Sequence, residues 1–213
     1  MSASILNFST LETLELTTDP EFDFTPFQKL APLKVGTLVD GLALTRISAP
    51  GHRFFDEIVL NAGASAFRYS HKPLLLYFFE KDWGAAAQGH LRQLNDIHAE
   101  LCANNINLLV ITAKSLDKFR ELSWKEALAL EVFEDADNEL ARQLRLYSEK
   151  GPTWGSYSGI DNNVALPALY LLDSARRVAL DFPNENIQPQ LPLQSIIPVL
   201  QRDTEYWLER KSA

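Results

Sequence analysis

Trp83 follows Lys81 and Asp82 and leads directly into Gly84, Ala85, Ala86 and Ala87. Before them lies Leu74 to Phe79, a short apolar run, so the tryptophan marks the passage from a buried strand into a helix start. A helix start leaves up to about four N–H groups without partners and carries the positive end of the helix dipole. A carboxylate or another small anion can bind at such a place. Lys81 and Asp82 could add charge at the rim, although charged residues at a strand end are usually just solvated.

The other side chains with chemical potential are scattered. Of the histidines His52, His71, His90 and His98, only the last two share an element, and they stand about 12 Å apart along a helix, too far for one metal without other ligands. No metal and no cofactor is expected. His90 falls in the second turn of the helix, within reach of the pocket, but reads as solvent-facing. The run Gly155-Ser156-Tyr157-Ser158-Gly159 has tyrosine where a hydrolase nucleophile elbow needs serine, and Gly63 to Phe67 fails the same motif at its last residue. Neither a dinucleotide-binding glycine pattern nor a phosphate-binding loop is present.

The elements that must position Trp83 follow from periodicity. Leu74 to Phe79 is apolar on both faces, as a central strand covered on each side would be. Ala85 to Asn104 follows as a helix, with Leu91, Leu94, Ile97, His98 and Leu101 spaced three and four apart. Ile106 to Thr112 completes a parallel strand-helix-strand unit. Ser115 can cap a helix reaching about Ala129, Leu130 to Phe133 is a short strand, and Asp137 can cap a helix from Asn138 to Tyr147. A loop bearing Trp154 and Tyr157 leads to Leu166 through Asp173 and then Val178 to Phe182, a hairpin by pattern. A last amphipathic helix spans about Leu193 to Arg210.

Upstream, Leu42 to Ile47 and Arg53 to Leu60 read as a hairpin around Ala49-Pro50-Gly51-His52. Residues 1–33 carry Pro20, Pro26 and Pro32 with weak periodicity and read as an extension packed on one domain of residues 34–213. A chain of 213 residues suits one domain with a single core.

A formal net charge of −8 repels phosphate backbones and anionic lipid, and no basic patch overrides it, so neither nucleic acid nor membrane is an expected partner. The longest apolar run falls far short of the roughly 20 residues a bilayer requires. Lys29 is the first basic residue, so no secretory start is expected and the cytoplasm is the expected compartment. A single cysteine, Cys102, rules out an intrachain disulfide; between Leu101 and Ala103 it reads as a small core residue.

Taken together, these segments resemble the peroxiredoxin-like branch of the thioredoxin superfamily, the alkyl hydroperoxide reductase/thiol-specific antioxidant (AhpC/TSA, redoxin) family. Trp83 corresponds to the tryptophan before Cys-x-x-Cys, and Gly84 and Ala87 stand where the two sulfurs would be. Glu134 to Ala141 resembles the family's Asp-rich strand end leading into an inserted helix, and Leu166 to Asp173 its Pro-Ala-Thr-Phe-x-x-Asp segment, whose proline is cis and faces the active site. The resemblance implies an α/β thioredoxin-like fold: a central mixed sheet flanked by helices on both faces, with a peroxiredoxin-type N-terminal hairpin and an inserted strand and helix.

It implies thiol peroxidase or disulfide oxidoreductase chemistry as well, but that chemistry needs a thiolate nucleophile, which glycine and alanine cannot supply. Cys102 lies about 27 Å along the helix from its start and cannot serve that site. No catalytic residue is therefore assigned. A redox-degenerate binding or scaffold protein is expected, using Trp83, Gly84, Ala85, Ala87, Leu166 and Pro167 as a vestigial site, with Trp154 and Tyr157 as its cover. A peptide, a protein or a small anion would be its partner, and a homodimer is an open assembly. The alternative is antioxidant activity kept through Cys102 or a partner, and a third reading is a structural subunit.

Overall fold

The computed structural model describes residues 28–39, 72–114, 119, 128, 130, 132–157 and 159–201. The expected hairpin over Leu42 to Leu60 lies outside these residues, as do positions 1–27 of the extension. So do the helix from Ser115, apart from Phe119 and Leu128, and the end of the C-terminal helix.

Strand β1, Leu74–Phe78, is buried at all five positions, which is why its sequence is apolar without alternation. It ends in a 3-10 turn, Lys81–Trp83, and helix α1 follows over Gly84–Ala103. Strand β2, Asn107–Thr112, returns parallel to β1 with Leu74 opposite Asn107 and Phe78 opposite Ile111. Strand β3, Val132–Glu134, lies parallel to β2, and the short helix α2 covers Glu139–Gln143. Strands β4, Ala168–Leu172, and β5, Val178–Pro183, form the expected antiparallel hairpin, with β4 antiparallel to β1. The sheet order is β3-β2-β1-β4-β5. A parallel crossover unit thus joins an antiparallel pair around β1, the arrangement of a thioredoxin-like α/β fold.

Helix α1 buries Ala87, His90, Leu91, Leu94 and Leu101, a stripe one turn apart along its length. Leu75, Leu76, Leu91, Leu94 and Leu109 are fully enclosed, and each buried leucine contributes about 1.5–3 kcal/mol of transfer free energy. Phe79, just past β1, packs edge to face on Phe119 with ring centres 5.6 Å apart.

The cap of α2 corrects the expectation for Asp137. Asn138 takes the N-cap position in the left-handed region, φ 53°, without a side-chain cap bond. The capping group is Asp135, whose two carboxylate oxygens accept the Leu140 and Ala141 N–H groups at 3.1 and 2.9 Å. The helix is also shorter than expected, because Arg145 turns left-handed at φ 59°.

Residues 28–39 lie against the rest of the chain through backbone bonds. Gln28 N–H reaches Lys150 O at 3.0 Å, Leu33 N–H reaches Leu144 O at 3.2 Å, and Thr37 and Val178 bridge at 2.9 Å. Lys34 Nζ pairs with Asp181 at 3.0 Å, and Tyr170 donates its hydroxyl to Leu33 O at 3.0 Å. Among the described residues no helix is long and apolar enough to cross a membrane.

Candidate functional site

The turn after β1 places Trp83 inside the protein. Its backbone N–H bonds Glu80 O at 3.2 Å, closing the 3-10 turn, and its ring is only 6% exposed. The indole Nε1–H donates to Ala165 O at 2.9 Å, and the ring meets Tyr157 edge-on at 5.1 Å. Burial, followed by the charge of Glu185, raises the Tyr157 hydroxyl above its usual range. Trp154 stands 56% exposed, so of the two aromatics expected as cover Tyr157 is the one against Trp83.

Gly84 opens α1 with φ 60° and ψ −136°, a combination that glycine alone adopts without strain. A Cβ built there would meet nothing within 4 Å. Ala85 is exposed and Ala87 is buried. Trp83 makes no side-chain cap, and no acid stands in the first turn, so the positive end of the helix keeps its charge. Among the described residues, no group of His, Cys, Asp and Glu is placed to hold a metal.

Leu166 and Pro167 lie just before β4, whose Ala168 pairs with Phe78 at the end of β1. Both are buried and both are bonded within the chain: Leu166 N–H to Leu146 O at 2.9 Å, and Asn184 N–H to Pro167 O at 2.8 Å. The cis bond implied by the resemblance is not found, since every described peptide bond is trans. Trans is the lower-energy isomer, and the bonds on either side hold the segment in that form.

Five further residues depart from expectation or went unnoticed in the sequence. His90 is not solvent-facing; it is 1% exposed, with Nδ1 2.8 Å from the Tyr77 hydroxyl and Nε2 2.8 Å from Gln188 O. The Asn184–Leu191 loop that supplies this carbonyl packs over the helix. Gln93 ties the same loop down, donating to Pro189 O at 2.7 Å and accepting from Leu191 N–H at 3.0 Å. Cys102 is not a core residue. It is exposed, with Sγ 3.6 Å from His98 Nε2 on the preceding turn.

Asp82 is more than a solvated strand-end charge: Lys114 Nζ forms a close ion pair with it, and Asn162 Nδ2 donates to it at 3.2 Å. Burial acts to raise its carboxyl, but the bonds from Lys114 and Asn162 outweigh that and hold it below the ordinary value. Glu80 had no sequence signal beyond its place at the end of an apolar strand. It is 2% exposed, and Oε1 accepts the Ala113 N–H at 2.6 Å while Oε2 has no hydrogen-bond partner. Burial pushes its pKa up to about 7 against the opposing pull of that N–H and of Lys114. Thr153 was likewise missed. Its hydroxyl both donates to Val164 O at 2.9 Å and accepts from Val164 N–H at 3.1 Å, which holds the Tyr157 loop in place.

Comparison with known proteins agrees with this fold. The PrxQ cysteine-to-serine variant of Xylella fastidiosa is similar at 13% identity over 83% of this chain and 98% of its own, with a TM-score of 0.56. The bacterioferritin comigratory protein of Xanthomonas campestris, described with its alkyl peroxide reduction activity, is 17% identical over 67% of this chain and 85% of its own, with a TM-score of 0.50. At these identities the likeness is one of fold. No curated protein matches the sequence. The family model described as AhpC/TSA matches residues 61–180, more than half the chain, so this protein belongs to the AhpC/TSA family, in the peroxiredoxin-like part of the thioredoxin superfamily.

Proposed function

We propose that this chain is a redox-inactive, peroxiredoxin-like protein that binds a ligand at the altered turn and turns nothing over. The observation that carries this reading is Gly84. Its backbone conformation suits glycine alone, it leaves open space where a side chain would point, and it starts a helix that no acid or side-chain cap neutralises. A small anion, or the carboxylate of a peptide, fits that start by charge and by the direction of its N–H groups. An extended peptide along Pro167 fits less well, because the Leu166 N–H and the Pro167 carbonyl are already bonded within the chain. A reducing compartment such as the cytoplasm suits a protein whose lone thiol, on Cys102, is exposed.

The test pairs binding with turnover. Titrating small carboxylates and carboxylate-ending peptides into the purified protein should raise its melting temperature in a saturable way. Ala85→Glu should abolish that rise, since a first-turn acid occupies the helix dipole itself. Hydroperoxide should not be consumed with dithiol or thioredoxin as reductant. Absence of any saturable stabilisation sinks the binding role.

A second reading, thiol chemistry at Cys102, is favoured by the exposure of that thiol and the nearby His98 ring. Peroxide turnover lost in Cys102→Ser would establish it in place of the first.

A further inference from the structure

Two carboxyl groups on one short turn share one cation. Glu80 and Asp82 flank Lys81; Lys114, just past the end of β2, forms its ion pair with Asp82 while its charge also acts on Glu80. The Lys114 backbone is linked to Glu80 through Thr112: its N–H donates to Thr112 Oγ1 at 3.3 Å, and that hydroxyl donates to Glu80 Oε1 at 3.4 Å. Asp82 in turn receives the Asn162 amide, which ties the Trp83 turn to the loop leading to Ala165. Glu80 Oε2 stays buried and unpartnered throughout.

An ionised carboxylate in that position is compensated at Oε1 and not at Oε2, whereas a neutral acid leaves a weaker group unmet there. The charged groups acting on Glu80 from the described residues are Lys114 and Asp82, of which only Lys114 can neutralise it. We propose that Glu80, Lys114 and Asp82 form a proton-driven latch on the Trp83 turn. With Glu80 protonated, Lys114 holds Asp82 and the turn is tied to Asn162. When Glu80 loses its proton, Lys114 swings to it, Asp82 is left with less neutralisation, and the tie to Asn162 loosens. The buried carboxyl, pushed up to about 7, places the exchange near neutral pH.

The full-length chain, labelled with nitrogen-15, tests this by following the Trp83 indole N–H and the Asn162 side-chain amide across neutral pH. Both signals should move together through one transition, and Glu80→Gln should flatten it. Asp82→Asn removes the anion that Lys114 releases, so the Asn162 amide should stop responding to pH. Lys114→Met removes the cation that moves, so the joint transition of the two signals should disappear. Signals that stay flat in the native chain, or that titrate unchanged in Glu80→Gln, overturn the latch. Should Glu80→Gln fail to fold, the remaining two variants decide: loss of the joint transition in both supports the latch, and a joint transition that survives in either overturns it. An indole transition with no response from Asn162 also overturns it, because a buried acid acting alone has no contact with that amide.

Discussion

The Tyr77 hydroxyl and His90 Nδ1 meet 2.8 Å apart in the core, and the proton assignment of the pair follows from the ring's other side. Nε2 faces the Gln188 carbonyl, which can only accept, so Nε2 carries the proton and Nδ1 accepts from Tyr77. Burial raises the Tyr77 hydroxyl far above its ordinary value and holds His90 below its own, the latter partly offset by the bond to Gln188.

This pairing predicts an acid-sensitive fold. The folded-state pKa of His90 is depressed, so its contribution to stability is complete above the unfolded value of 6.5 and is lost as pH falls through and below it. Denaturant unfolding at a series of pH values should show that loss, and His90→Gln should flatten that limb. Tyr77→Phe leaves Nδ1 buried without a donor and should lower stability by about 1–3 kcal/mol at neutral pH. A neutral Tyr77→Phe would refute the assignment.

Gly84→Ala should destabilise the protein although its methyl group meets no atom. The penalty is conformational, about 1–3 kcal/mol for a side chain held at φ 60° and ψ −136°. For the same reason Gly84→Cys should lower the melting temperature and create no peroxidase. Robust hydroperoxide consumption by that variant would contradict the backbone argument.

Gly151→Ala should loosen residues 28–39. The new Cβ would lie 1.8 Å from Gln28 O, backbone that must move, so the Gln28 to Lys150 bond breaks. Limited proteolysis should then cut near this segment sooner than in the native chain, with a stability loss of about 1–3 kcal/mol. An unchanged cleavage pattern would show that the segment is not anchored there.

Cys102 should react at once with a thiol reagent in the native state, one equivalent per chain, because it is exposed. Cys102→Ser should leave the melting temperature nearly unchanged. Labelling that waits for unfolding would return the residue to the core.

Periodicity alone located β1, α1, β2 and the β4–β5 hairpin to within a residue or two, since burial on both faces of a strand or on one stripe of a helix leaves a local imprint in residue order. The glycine and alanine at positions 84 and 87 were equally plain, since they are a matter of residue identity. Side-chain surroundings were not legible in this way. His90 and Cys102 sit on one helix twelve positions apart, and each is placed opposite to expectation: the Asn184–Leu191 loop covers His90, while the other end of the helix leaves Cys102 in solvent. The trans Leu166–Pro167 bond and the burial of Glu80 have the same origin. Each depends on segments far apart in the chain meeting around the sheet, and such meetings leave no trace in the spacing of neighbours.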